Sequence, residues 1–147
     1  DAVYMNQFAN PANPLAHETT TGPELFEQLD HDVDAVVVGV GSGGTLTGLG
    51  RFFAKASPKT RMILADPAGS VLEPLVNRGE TVEAGSWIVE GIGEDFIPDN
   101  CDLSLVKKGD AFSVTDRESV EAARALLAKA GVLAGSSSGT LLAAALR

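Results

Sequence analysis

The sequence predicts an α/β fold, with a parallel twisted sheet and helices on both of its faces. The first observation is order: segments with strand character and segments with helix character alternate along the 147 residues. The second is that the strand segments are apolar without alternation, as in a parallel sheet covered on both sides. The third is that two strand segments run into turns of Gly and Ser that open helices.

Each element is assigned from its own local signal. Residues 1–21 are predicted to form a loop, because the Asn and Pro residues at 10–14 disfavour a regular helix and a central strand. Thr21 and Pro23 are expected to start a helix that ends near residue 29. Further strands are predicted at residues 34–40, 61–66, 112–114 and 132–134, and further helices at residues 45–56, 70–77, 116–130 and after 139.

Composition excludes several classes of function. Eleven basic and 20 acidic residues give a net charge of −9, which argues against a nucleic-acid partner. A single cysteine excludes an internal disulfide and favours a reducing compartment, so a cytoplasmic location is expected. No apolar run approaches the roughly 20 residues of a membrane span. The final apolar helix has no stop signal, so we expect a piece of a longer polypeptide.

The first glycine-rich turn is a candidate phosphate site. Residues 39–45 read GVGSGGT, and such a run offers consecutive backbone N–H groups at the start of a helix. Ser42 and Thr45 add hydroxyl donors. The glycine spacing also fits G-x-G-x-x-G, and Asp66 at the end of the next strand would complete a dinucleotide fingerprint. An NAD-binding domain of an oxidoreductase, and a tight turn without a ligand, are therefore alternatives.

The second turn, GSSSG at residues 135–139, places three hydroxyls at a strand end. It is either a Ser-rich helix cap or a second contact for a polar ligand. A cofactor held at two ends, with its phosphate in one loop and its ring at the other, would use both turns.

Six segments carry a more specific signal. They are QFANPANPLAH at residues 7–17, TTGPE at 20–24, GSGGTLTG at 41–48, DPAGS at 66–70, VEGIGEDFIP at 89–98 and SSG at 137–139. In these segments, and in the order in which they occur, the chain resembles the cysteine synthase and cystathionine β-synthase family of pyridoxal-phosphate enzymes, which have fold type II. The resemblance extends over nearly the whole chain, with some segments closer to cystathionine β-synthases and TTGPE closer to cysteine synthases.

The resemblance implies a domain organisation and a cofactor. Residues 22–147 would be the cofactor-binding α/β domain, the larger C-terminal domain of the family, incomplete at its C-terminal end. Residues 1–21 would be the loop that joins it to an absent N-terminal part. The cofactor would be pyridoxal 5'-phosphate. Its phosphate would be bound by Gly41, Ser42, Gly43, Gly44 and Thr45.

The resemblance also assigns the rest of the site. Ser137 matches the serine that hydrogen-bonds the pyridine nitrogen, and Gln7, Gly91, Ile92 and Gly93 match residues on the substrate side. A serine at the ring nitrogen leaves that nitrogen largely neutral, which favours elimination of a β-leaving group. The implied reaction is β-replacement on serine or an O-activated serine, an amino-acid substrate, by a sulfur nucleophile. A homodimer is implied for the full-length protein.

Some residues depart from the family pattern. Ser42 stands where Thr is usual, and Glu94 stands where cystathionine β-synthases tend to carry Tyr. The lysine to which the family attaches its cofactor has no counterpart here. The five lysines are expected to be solvated: Lys55, Lys59, Lys107, Lys108 and Lys129. We therefore expect no catalytic residue in this chain and no activity of the chain alone, and a regulatory relative without activity is a further alternative.

Three other residues attract attention and are assigned no chemistry. His17, His31 and Cys101 lack metal-ligand spacing, so no metal site is predicted. Cys101 has no nearby basic cluster in the sequence to lower its pKa, so it is not expected to be a nucleophile.

Overall fold

The computed structural model describes residues 1–147. Three parallel strands form one sheet in the order β1-β2-β3: β1 is Ala35–Val38, β2 is Arg61–Pro67 and β3 is Ala111–Val114. Ala35 pairs with Arg61, and Leu64 pairs with Ala111. The α/β class with a parallel sheet is confirmed.

Helices account for most of the remaining regular structure. They are α1 (Ala12–Ala16), a π-helical turn (His17–Thr21), α2 (Gly22–Gln28), α3 (Gly44–Ala56), α4 (Leu72–Arg78), a 3-10 turn (Leu103–Leu105), α5 (Asp116–Ala130) and α6 (Ser136–Ala145). None of them combines the length and hydropathy needed to cross a lipid bilayer.

The helices cover both faces of the sheet, as predicted. Leu64 of β2 belongs to the main core with Leu46 and Phe53 of α3. Its neighbour Ala65 belongs to a second cluster with Ala144 of α6. Because successive side chains of a strand point to opposite faces, one strand serves both cores. The sheet is thus sandwiched between α3 and α6, and the turns that precede these helices are brought close to the sheet.

Helix α5 shows how closely local signals set an element. Thr115 and Glu118 form a reciprocal capping box at its start. Gly131, with φ of 70°, ends it in the left-handed conformation.

The predicted loop over residues 1–21 is wrong for residues 12–21, which are helical and continue into α2. Pro11 caps α1 and Pro14 lies in its first turn, where no N–H is required, so neither proline opposes the helix. Pro23 has no N–H to donate, and the preceding turn widens so that Gly22 donates to the His17 carbonyl. Thr21 therefore caps nothing.

The predicted buried strand at residues 132–134 is also wrong. The segment has no regular secondary structure, and Leu133 is 83% exposed. A short apolar run indicates a strand only if a neighbouring strand offers it hydrogen bonds, and here none pairs with it.

Candidate functional site

A cavity of about 520 Å³ lies where the turn after β1 enters α3. Residues 41–45 form one wall and residues 91–94 face them. The rest of the lining is Gln7, Phe8, Gly39, Trp87 and Val89. The carboxyl edge of a parallel sheet is the usual ligand position in this class of fold. The volume is within the range of pockets that hold small ligands and cofactors.

The wall at residues 41–45 presents unused hydrogen-bond donors. None of the hydrogen bonds within the chain has a backbone N–H of these residues as its donor. Gly43 adopts a φ of +82°, which lets the chain turn directly into α3. The free N–H groups therefore stand at the positive end of a 13-residue helix, an arrangement that suits an anion.

Side chains from the helical segment 12–21 orient both hydroxyls of this loop. The Asn13 amide donates to Ser42 Oγ at 2.9 Å and to the Gln7 carbonyl at 2.8 Å. His17 Nε2 lies 3.3 Å from Thr45 Oγ1. Sequence reasoning from composition and spacing missed Asn13. Its position inside the QFANPANPLAH segment was the only signal available.

The opposite wall contacts the loop through the main chain. The Gly93 N–H donates to the Val40 carbonyl at 2.8 Å. A Cβ atom on Gly41 would lie 2.7 Å from the Gly91 carbonyl oxygen, too close for any side chain. Glycine at residue 41 thus lets the two walls approach each other.

The structure brings together nine of the ten residues predicted for the site. The nine that line the cavity are Gln7, Gly41, Ser42, Gly43, Gly44, Thr45, Gly91, Ile92 and Gly93. Ser137 does not line it and is a half-buried residue in the first turn of α6. The adjacent Ser136 accepts a hydrogen bond from the Glu90 N–H, so the start of α6 adjoins the segment that forms one wall.

Asp66 is completely buried at the end of β2. Its Oδ2 accepts a hydrogen bond from the Glu73 N–H in the first turn of α4, and its Oδ1 has no partner. Burial raises the pKa of this carboxyl to about 6. With no exposed atom, the carboxylate cannot contact the ribose of a dinucleotide.

Cys101 packs against Gly43 of the glycine-rich turn. Its Cβ lies 2.5 Å from the position that a Cβ on Gly43 would occupy. Burial raises the pKa of the thiol to about 12, so it is protonated at neutral pH.

None of the five lysines lines the cavity. Lys55 and Lys59 form exposed ion pairs with Glu18 and Asp32.

The donor set of the cavity fits a phosphate monoester such as the one on pyridoxal phosphate. Free backbone N–H groups, two hydroxyls and the start of a helix are what a phosphate requires, and glycines keep the loop open.

Comparisons with known proteins agree with this chemistry. Residues 1–147 match the family described as pyridoxal-phosphate dependent enzyme. The chain is 44% identical to cysteine synthase A of Escherichia coli (strain K12) over 147 residues, which cover 99% of this chain and 45% of that protein. It is 41% identical to a cystathionine beta-synthase of Apis mellifera over 147 residues, which cover 100% of this chain and 28% of that protein.

A cystathionine beta-synthase of Oryctolagus cuniculus is 39% identical over 143 residues, covering 97% of this chain and 25% of that protein. The chain therefore spans less than half the length of these relatives. Since the family match extends over every residue, the chain belongs to the pyridoxal-phosphate-dependent enzyme family.

Proposed function

We propose that the full-length protein is a pyridoxal-phosphate enzyme that replaces the β-substituent of serine, or of an O-activated serine, by a sulfur nucleophile. The product is cysteine or cystathionine. The observation that carries the proposal is the wall of residues 41–45, whose free N–H groups form an anion site inside a cofactor-sized cavity. The names of the relatives, cysteine synthase and cystathionine beta-synthase, indicate the reaction.

The residues of this chain divide the work of binding. Residues 41–45 hold the phosphate, with Asn13 fixing the Ser42 hydroxyl. Gln7 and residues 91–93 line the part of the cavity assigned to the substrate. Ser137 is assigned to the ring nitrogen by the resemblance. It lies in the first turn of α6 next to Ser136, which accepts a hydrogen bond from the Glu90 N–H beside the wall of residues 91–94. When bound, the cofactor supplies the electron sink for β-substitution.

The NAD-binding alternative is disfavoured by Asp66. The dinucleotide fingerprint needs an acidic side chain that reaches a ribose hydroxyl. Here that carboxylate is completely buried, with one oxygen bonded to the start of α4. The glycine spacing is therefore explained by phosphate binding without a dinucleotide.

The test uses the full-length protein, stripped of cofactor and titrated separately with pyridoxal phosphate and with NAD. We expect pyridoxal phosphate to bind and to support elimination of acetate from O-acetylserine, followed by addition of a sulfur nucleophile. Ser42→Ala removes one charge-assisted hydrogen bond and should weaken cofactor binding about 10-fold.

The matched control is Ser104→Ala, which removes an exposed hydroxyl that bonds Asp102, outside the cavity. It should leave the affinity for pyridoxal phosphate unchanged. Binding of NAD without binding of pyridoxal phosphate would overturn the proposal.

A further inference from the structure

The cavity contains a single ionisable side chain, that of Glu94. Every other residue of its lining is neutral: the two walls contribute mainly glycine, Ser42 and Thr45 are hydroxyls, and the remainder are Gln, Trp and apolar residues. No lysine, arginine or histidine lines the cavity. Ligand atoms beside Glu94 therefore lie next to a negative charge, and no cationic side chain in the cavity lining neutralises that charge.

The backbone of Glu94 is held rigidly. Its N–H donates to Ser70 Oγ at 3.1 Å, and its carbonyl accepts from the Ser70 hydroxyl at 3.2 Å and from the Val71 N–H at 3.0 Å. The preceding residue, Gly93, is bonded to Val40. These hydrogen bonds fix the point at which the Glu94 side chain enters the cavity.

The Glu94 carboxylate has no partner within the chain. No hydrogen bond or ion pair uses its oxygens, although its backbone makes three hydrogen bonds. Its Oε1 lies 3.9 Å from the position of a Cβ on Gly41, so it faces the opposite wall. The pKa of this carboxyl is raised, mainly by partial burial and to a lesser extent by the nearby charges of Asp95 and Asp66. A cationic group of a ligand would relieve both the desolvation and the repulsion.

We propose that Glu94 determines the choice of second substrate by binding the ammonium group of an amino-acid thiol. The inference rests on the proposed β-replacement reaction and specifies its nucleophile. An amino-acid thiol carries an ammonium group beside its sulfur. Sulfide has no such group and, as an anion, is repelled by the carboxylate. The cavity thus favours a nucleophile of the amino-acid class over inorganic sulfide.

The test compares two thiols that differ only in the amino group, cysteine and mercaptopropionate, with sulfide as a third nucleophile. The full-length, cofactor-loaded enzyme is supplied with O-acetylserine as the first substrate. In Glu94→Gln, kcat/KM for cysteine should fall about 10-fold through KM, since one charge-assisted contact is lost. The values for mercaptopropionate and sulfide should fall little or rise.

Asp95→Asn is the matched control, because it removes the same charge from the adjacent, exposed residue, which does not line the cavity. It should retain the preference for cysteine. An equal loss for cysteine and mercaptopropionate in Glu94→Gln would overturn the inference, because the ammonium group would then play no part.

Elimination from O-acetylserine without any thiol separates this inference from the proposed function. Its absence in the unmodified enzyme would refute the proposed function itself. Normal elimination combined with an unchanged KM for cysteine in Glu94→Gln would refute only the role of Glu94. Slower elimination in that variant would place Glu94 on the first substrate and would also overturn the inference.

Discussion

Gly44 and Asn13 form a contact whose energetics can be tested by a double-mutant cycle. A Cβ atom on Gly44 would lie 1.9 Å from Asn13 Oδ1, and the three nearest atoms all belong to the Asn13 side chain. Gly44 is the first residue of α3 and needs no left-handed backbone, so alanine is otherwise acceptable there. The substitution Gly44→Ala should therefore act only by displacing Asn13.

The structure sets the size of each effect. The displaced Asn13 amide loses its hydrogen bonds to Ser42 and Gln7, each about 1 kcal/mol, so Asn13→Ala should cost about 2 kcal/mol. Gly44→Ala should cost about 3 kcal/mol, since overpacking adds about 1 kcal/mol. In the double variant the Asn13 side chain is gone, so the added Cβ at residue 44 meets no clash. The free energy of unfolding should then fall by about 2 kcal/mol, whereas additive effects would lower it by roughly 5 kcal/mol.

The assay is urea unfolding of the full-length protein without cofactor, because bound cofactor would add its own stabilisation. Gly135→Ala is the control glycine substitution. It also lies at the start of a helix, but the atom nearest to its added Cβ is Ser137 Oγ at 4.0 Å. Its cost should stay below about 1 kcal/mol.

Additive costs in the double variant would refute this reasoning. They would mean that the barrier to a side chain at residue 44 lies in the backbone and not in Asn13. The coupling predicted here is about −3 kcal/mol, well above the error of such measurements.

Two further predictions concern the fold around the site. Gly139→Ala places a Cβ 2.0 Å from the Ser119 carbonyl oxygen, which forces α5 and α6 apart and should lower the free energy of unfolding by about 3 kcal/mol. Asp66 has a folded-state pKa of about 6 against 3.8 unfolded, so its neutral form stabilises the fold at low pH and that contribution is lost as pH rises through 6. Asp66→Asn should remove this decline, which amounts to about 3 kcal/mol.

Both are measured by the same unfolding assay. The second uses a pH series from about 3 to 7, which spans the unfolded and the folded pKa of Asp66. For Gly139→Ala the control is again Gly135→Ala, at the residue that precedes the same helix. A loss no larger than that of the control would show that α5 and α6 can separate easily. A difference between Asp66→Asn and the unmodified protein that does not change with pH would show that Asp66 does not titrate in this range.

Much of the fold was predictable because its signals are local. The capping box of Thr115 and Glu118 and the stop at Gly131 act within single turns, and α5 has the predicted bounds. The two wrong predictions share one cause: the local sequence is compatible with more than one structure. Prolines at residues 11 and 14 are compatible with both a loop and a first helical turn, and the apolar residues 132–134 are compatible with a strand only if another strand pairs with them.

By itself the sequence determined the parallel α/β framework, the glycine turn that opens α3 and the backbone N–H groups that this turn presents. These follow from the spacing of apolar residues, the freedom of glycine and the donors at a helix start, all properties of neighbouring residues. Only the tertiary structure decided three features of the site. Asn13 donates a hydrogen bond to Ser42, Asp66 is buried out of reach of a ligand, and Glu94 is the one ionisable side chain that lines the cavity. Each depends on segments far apart in sequence that packing brings together, and burial and the position of a charge exist only after that packing.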